Sequence, residues 1–299
     1  MLFATAGGLE AAAGAPDPAQ LKLGSSNALV FDPSTGRELY RKGADEITPI
    51  ASVTKLMTAM VVLDANQSLD EVLDVDIDDF DYLKGTRSRL SMGVALPRRD
   101  MLRLALMASE NRAAHALGRS HPAGLAAFVA AMNAKARELG MRDTRYVEPT
   151  GLSSENRSSA EDLARLVRAA AEHPIIREYS TSTEAVVANG RRQQQFHNTN
   201  GLVRNPDWEI AVQKTGYIAA AGRCVVMQAQ MAGRQLIMVL LDSAGRYSRI
   251  GDAERLRRWL SDGFGAARAA AAPASPAGDA SAAAAAAAAL LGGETQPAR

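Results

Sequence analysis

Cysteine is nearly absent from this chain. Cys224 is the only one in 299 residues, so there is no intrachain disulfide and no multi-cysteine zinc site. It lies in the run Cys224-Val225-Val226-Met227, the setting of a buried, inert thiol. Histidine is scarce too, with four residues and no metal-ligand spacing among them. Neither His-Glu-x-x-His nor Gly-x-Ser-x-Gly occurs, which removes the usual zinc-peptidase and α/β-hydrolase readings. There is no glycine-rich phosphate loop. Charge of one sign is also missing. The formal net charge is +1, which provides no electrostatic footprint for nucleic acid and no general attraction to an acidic membrane. No run is long and apolar enough to span a bilayer. What remains is enough chain for one large or two small domains with an ample core.

Three zones divide it. Residues 1–24 carry few structural signals and are expected to be a leader or a disordered segment. Ala11-Ala12-Ala13-Gly14-Ala15 resembles a cleavage region, but no Lys or Arg precedes it and Glu10 interrupts the apolar run. Residues 25–262 alternate strand and helix patterns and form the expected folded domain. Residues 263–299 are rich in Ala, with Pro, Gly and Ser scattered through them. An alanine run offers no face to bury, so this tail is expected to be disordered.

In the middle zone, Asn27–Asp32 and Arg37–Arg41 read as strands joined by the turn Pro33-Ser34-Thr35-Gly36. Near the other end, Cys224–Gln230 and Gln235–Leu241 form a second hairpin around Ala232-Gly233-Arg234. An amphipathic helix follows at Ala253–Leu260. Helical patterns lie between the hairpins, over 52–64, about 98–118, 123–139 and 159–172. The predicted fold is therefore α/β of the α+β kind, a sheet built from both chain ends with a helical insertion. The acidic stretch Asp70, Glu71, Asp74, Asp76, Asp78, Asp79 and Asp81 fails as a calcium loop: Asp79 stands where glycine is needed and Gly85 where glutamate is needed. It is expected to be a solvated strand-and-loop face.

The chemistry starts at Ser52-Val53-Thr54-Lys55, the single Ser-x-x-Lys of the chain. Ile50, Leu56, Met57, Met60, Val61 and Leu63 suit a buried helix, on which residues three apart share a face. A lysine held there loses hydration, its pKa falls, and it can take a proton from the serine. The competing reading is a solvated lysine on a core helix. Two later motifs decide against it. Ser109-Glu110-Asn111 follows the apolar stretch Met101–Met107, and Lys214-Thr215-Gly216 precedes a strand-like run. Ser25/Asn27 also fits Ser-x-Asn but precedes the nucleophile. Ser154/Asn156 lies in a serine-rich turn without the preceding helix. Ser-x-x-Lys, Ser-x-Asn and Lys-Thr-Gly in this order mark penicillin-binding proteins and serine β-lactamases.

Longer stretches narrow the family. ASVTKLMTAMVVLDA (51–65), LMASENRAAHALG (106–118), AMNAKARELG (131–140), YVEPTGLS (146–153), Asn198-Thr199-Asn200 and QKTGY (213–217) resemble the low-molecular-mass penicillin-binding proteins, the serine D-Ala-D-Ala carboxypeptidase and endopeptidase family. They are most similar to its endopeptidases of the penicillin-binding protein 7 type. The resemblance covers residues 25–262. It implies a β-lactamase/transpeptidase-like fold, with an antiparallel five-stranded sheet flanked by helices and an inserted helical subdomain. It implies a periplasmic location. No cofactor or metal is expected from the residues themselves. The implied partners are peptidoglycan peptide stems and covalent β-lactam inhibitors.

By the same resemblance, Ser52 is the nucleophile and Lys55 its base. Ser109 relays a proton to the leaving amine, and Asn111 holds the substrate amide. Lys214 maintains positive potential, and Thr215 binds the carboxyl region. Gly216 admits the substrate to the strand, and the N–H groups of Ser52 and Tyr217 form an oxyanion hole. The implied activity is cleavage of D-Ala–diaminopimelate cross-links. D-Ala-D-Ala carboxypeptidase, β-lactamase and non-catalytic peptidoglycan binding stand as alternatives. The Glu-x-x-Leu-Asn loop of a fast-deacylating β-lactamase is missing between Ser109 and Lys214.

Overall fold

A computed structural model describes residues 18, 21–79 and 88–271. Most of the expected leader, the bulk of the alanine-rich tail and Asp81 lie outside the described residues.

In chain order the elements are β1 (Ser25–Asp32), β2 (Arg37–Lys42), β3 (Thr48–Pro49), α1 (Thr54–Asp64), β4 (Val72–Asp74), β5 (Ala95–Pro97), α2 (Arg98–Arg103), α3 (Asn111–Arg119), α4 (Gly124–Glu138), β6 (Arg157–Ser158), α5 (Ala160–Ala170), α6 (Pro174–Thr181), β7 (Glu184–Asn189), β8 (Arg192–His197), β9 (Ile210–Ile218), β10 (Gly222–Met231), β11 (Arg234–Ser243) and α7 (Ser248–Ala271). The main sheet is antiparallel in the order β2-β1-β11-β10-β9. The expected hairpins are β1–β2 and β10–β11, and both chain ends do meet at the β1–β11 pair. The β1–β2 turn follows from Asp32, whose Oδ1 accepts from Ser34 N at 2.9 Å and Ser34 Oγ at 2.6 Å.

Strand alternation divides the core in two. Leu29, Val226, Ile237, Val239 and Leu241 face the helical body, packed with α1 and α5. Ala28, Val30, Val225, Met227, Met238 and Leu240 face Ala253, Leu256 and Leu260 of α7. A sheet covered on both faces has to read as continuous apolar strands, and β10 and β11 do. Leu21 and Leu23, placed in the leader by sequence, pack on the α7 side. Helix α7 continues to Ala271, beyond the expected domain end.

Helix α1 is buried from Thr54 to Val62 and stands at the centre of the body, as a helix apolar nearly all round must. Around it lie α3, α4 and α5, the last capped by the Ser159 hydroxyl accepting from Asp162 N at 3.2 Å.

Two expectations need correcting, and one gains detail. The segment 98–118 is not one helix: α2 widens into a π turn at Leu104–Ala108 and breaks at Ser109, which is left-handed at φ 60°. The Lys-Thr-Gly motif does precede the strand-like run, which is β10, and itself lies within a strand, β9. The acidic face is not wholly solvated. Asp79 is buried and bonded to His115 Nδ1 at 2.7 Å and Arg119 Nη2 at 3.1 Å, and these partners hold its carboxyl below the usual range against the effect of burial.

Candidate active site

Ser52 sits in a single 3-10 turn, Ala51–Val53, and Lys55 in the first turn of α1. The turn is wound tightly: Ala51 has φ 49°, a conformation that a non-glycine residue keeps where its surroundings enforce it. Lys55 is fully buried, and its Nζ donates to Ser52 Oγ at 3.0 Å, Asn111 Oδ1 at 2.8 Å and Thr150 O at 2.6 Å. Burial pushes its pKa down to about 8, while Glu148 and Glu110 pull it upward. The serine thus meets an amine that can lose its proton near neutral pH.

The second lysine faces the second serine. Lys214 on β9 is fully buried, and its Nζ donates to Ser109 Oγ at 2.9 Å and Thr215 O at 2.9 Å. Burial, then the positive charges of Lys55 and Arg249, hold its pKa well below the ordinary lysine value. The repulsion between the two lysines therefore acts on Lys214. A substrate carboxylate in the cleft would favour the charged form again. The break at Ser109 gives this geometry its backbone: π turns in α-helices concentrate at functional sites, and here one ends on the serine that meets β9.

Gly216 has a neighbour that sequence reasoning did not anticipate. A Cβ there would lie 3.0 Å from Ala51 Cβ, Ile50 O and Ser52 N, so the missing side chain lets β9 close on the turn that carries Ser52. Thr215 Oγ1 meets Thr199 Oγ1 at 2.6 Å, and Thr199 N donates to Met107 O at 3.1 Å. Tyr217, next on β9, is exposed, with the Arg223 guanidinium 4.4 Å from its ring centre.

All eight residues named from sequence therefore fall on two facing units, the Ser52–Lys55–Asn111 group and β9 with Ser109. Sequence reasoning missed Arg249, whose Nη1 donates to Gly216 O at 3.1 Å. It lies 35 residues after Lys214 in no local motif, so nothing in the chain's pattern pointed to it. It also missed what the 148–153 loop does. Glu148 Oε2 accepts from Thr150 N at 2.6 Å and Thr150 Oγ1 at 2.5 Å. Its Oε1 accepts from Gly151 N at 2.7 Å, Asn156 Nδ2 at 2.9 Å and Ser153 N at 3.3 Å. Among the described residues no cluster of three or more His, Cys, Asp or Glu could hold a metal. No described helix is long and apolar enough to cross a membrane.

The family signature of D-alanyl-D-alanine carboxypeptidases, peptidase S11, matches residues 12–245. The chain belongs to this family. It is a serine hydrolase acting on D-alanyl-D-alanine peptides. It is 49% identical over 248 residues to a D-alanyl-D-alanine endopeptidase of Pseudomonas aeruginosa, covering 82% of this chain and 80% of the relative. It is 45% identical over 253 residues to a D-alanyl-D-alanine endopeptidase of Escherichia coli, covering 84% and 82%. These relatives agree with the endopeptidase type that the resemblance implies. Among solved structures, the Streptomyces K15 DD-transpeptidase superposes with a TM-score of 0.73 at 26% identity, covering 79% of this chain and 97% of that one. Penicillin-binding protein D2 of Listeria monocytogenes, in its ampicillin-bound form, superposes with a TM-score of 0.69 at 30% identity, covering 82% and 98%. The β-lactamase/transpeptidase-like fold is thereby established.

Proposed function

We propose that this chain is a serine DD-endopeptidase that cleaves D-Ala–diaminopimelate cross-links of peptidoglycan through an acyl-enzyme on Ser52. The observation that carries the mechanism is the position of Lys55 Nζ, 3.0 Å from Ser52 Oγ and fully buried. Lys55 takes the Ser52 proton as Oγ attacks the D-Ala carbonyl. The N–H groups of Ser52 and Tyr217 receive the oxyanion. Ser109, beside Lys214, returns a proton to the leaving amine, and water then hydrolyses the ester. Asn111 both holds the substrate amide and fixes Lys55 through its Oδ1. Thr215, with Arg249 behind Gly216, receives the carboxylate end of the stem peptide. The endopeptidase preference is supported by the Pseudomonas and Escherichia relatives. A peptidoglycan substrate supports a periplasmic location and a part in cell-wall biogenesis and cell shape.

Rapid β-lactam hydrolysis is disfavoured by the state of Glu148. A carboxylate has about four lone-pair sites, and five donors already occupy this one. It has no capacity left to activate water, so a penicilloyl ester on Ser52 persists.

Purified protein incubated with cross-linked muropeptide dimers is expected to release monomers, and Ser52→Ala to release none. Pentapeptide monomers in the same assay measure carboxypeptidase activity. Dimers left intact while pentapeptides lose D-Ala would replace the endopeptidase by a carboxypeptidase. Binding without cleavage of either would leave a peptidoglycan-binding protein.

A further inference from the structure

Neutral Lys55 has two N–H bonds and one lone pair, and catalysis needs the lone pair on Ser52. The geometry around Nζ settles how these are shared. Asn111 Oδ1 at 2.8 Å and Thr150 O at 2.6 Å are acceptors only, so they take the two N–H bonds. The remaining tetrahedral position is directed at Ser52 Oγ, whose hydroxyl can donate. The direction of the lone pair therefore depends on where Thr150 O is held. A backbone carbonyl in a loop is a mobile group unless something fixes it.

Glu148 is what fixes it. Its carboxylate collects Thr150 N and Oγ1, Gly151 N, Ser153 N and Asn156 Nδ2 into one knot. The knot is fastened to α1 at two further points. Thr58 Oγ1 donates to Pro149 O at 2.6 Å, and Asn156 Nδ2 to Thr54 Oγ1 at 3.1 Å. Residues 54, 55 and 58 of α1 are thus all gripped by the segment 148–156.

We propose that Glu148 is a positioning residue of the catalytic reaction: by locking the 148–153 loop it sets Thr150 O against Lys55 and aims the Lys55 lone pair at Ser52. Its charge has a second consequence. The groups that face Lys55 are Glu148 from this loop, Glu110 from the Ser109–Asn111 turn, and Lys214 with Arg249 behind it from the β9 side. Removing the Glu148 charge leaves one anion fewer to favour the protonated amine, so Lys55 deprotonates at lower pH.

The inference rests on Lys55 being the base, and the test separates the two. The acylation rate with a fluorescent penicillin is measured from pH 5.5 to 10 for the wild type, Glu148→Gln and Lys55→Arg, with thermal unfolding recorded for each. Glu148→Gln keeps the size of the side chain but replaces one acceptor oxygen by a donor. It is expected to lower the high-pH plateau about tenfold or more and to move the acid limb to lower pH. A wild-type plateau overturns the proposal, whatever the limb does. So does a lowered plateau with an unmoved limb, the result of mere loss of folded protein. Should Glu148→Gln not fold, Glu148→Asp carries the test. It keeps the charge and shortens the reach, so the plateau per molecule shown folded by its thermal unfolding should fall with the limb in place, and a wild-type plateau per folded molecule overturns the proposal. If Lys55→Arg acylates at the wild-type rate, the base assignment itself fails, independently of Glu148.

Discussion

Gly151 is pressed against Ala51 so closely that a Cβ on it would fall 2.0 Å from the Ala51 carbonyl oxygen and 2.8 Å from Ser52 N. Its φ of +83° is also one that side chains rarely adopt. The loop after Glu148 and the turn bearing Ser52 therefore share one contact surface with no spare volume. Gly151→Ala has to displace backbone on one side or the other. It is expected to destabilise the fold by about 2 kcal/mol or more and to slow Ser52 acylation in the protein that still folds. Urea unfolding and penicillin labelling of the variant check both; full labelling rate at wild-type stability would contradict the contact.

As the proposed base, Lys55 is expected to give the acylation rate its pH dependence. With a pKa of about 8, roughly one amine in ten is neutral at pH 7 and nine in ten at pH 9. The rate should rise about tenfold across that interval. Lys55→Arg, which keeps the charge but holds its proton, should lose about two orders of magnitude. The stability sign follows from the depressed value. The folded state binds this proton less tightly than the unfolded chain, so Lys55 costs stability below pH 8, and the cost fades as pH rises from about 8 towards 10.5. A flat rate profile over pH 7–9 would contradict this assignment.

Asp252 ties the last helix to the first strand. Its carboxylate accepts from Gly24 N at 3.0 Å, Ser25 N at 2.7 Å and Ser25 Oγ at 2.7 Å, all fully or partly buried, and pairs with Arg255. Asp252→Ala leaves those donors without an acceptor. A loss of about 3 kcal/mol is expected, read as a lower denaturant midpoint with the acylation rate of the folded fraction unchanged.

Cys224 should be silent in the native state. It is fully buried on β10, and burial pushes its thiol up to about 11. A thiol reagent at pH 8 is expected to react with one equivalent in denaturant and to react far more slowly without it. Fast modification of the native protein would contradict the packing of β10 against β9.

The two hairpins, the central helix and the approach of Lys55 to Ser52 are legible in the sequence alone. Those signals are local: strand alternation, turn residues and the three-residue spacing that puts Ser52 and Lys55 on one face. The fifth strand was not legible from its own pattern, because Ile210–Ile218 contains Gln213, Lys214 and Thr215 at buried positions. Polar residues inside a strand resemble a loop until their partners are known. The α6 helix and the β7–β8 hairpin went unread as well, β8 being largely polar.

Tertiary structure alone decided how those residues are used. That Ser109 leaves the helix at φ 60°, that Thr150 O reaches Lys55, that Glu148 is spent on five donors and that Arg249 stands behind Gly216 are all contacts between segments distant in sequence. No periodicity encodes a meeting of residues 55 and 150 or of 216 and 249. Burial decided the charges in the same way. Lys55 and Lys214 are ordinary lysines in sequence, and their proton affinities fall because the packed sheet and helices remove water from both.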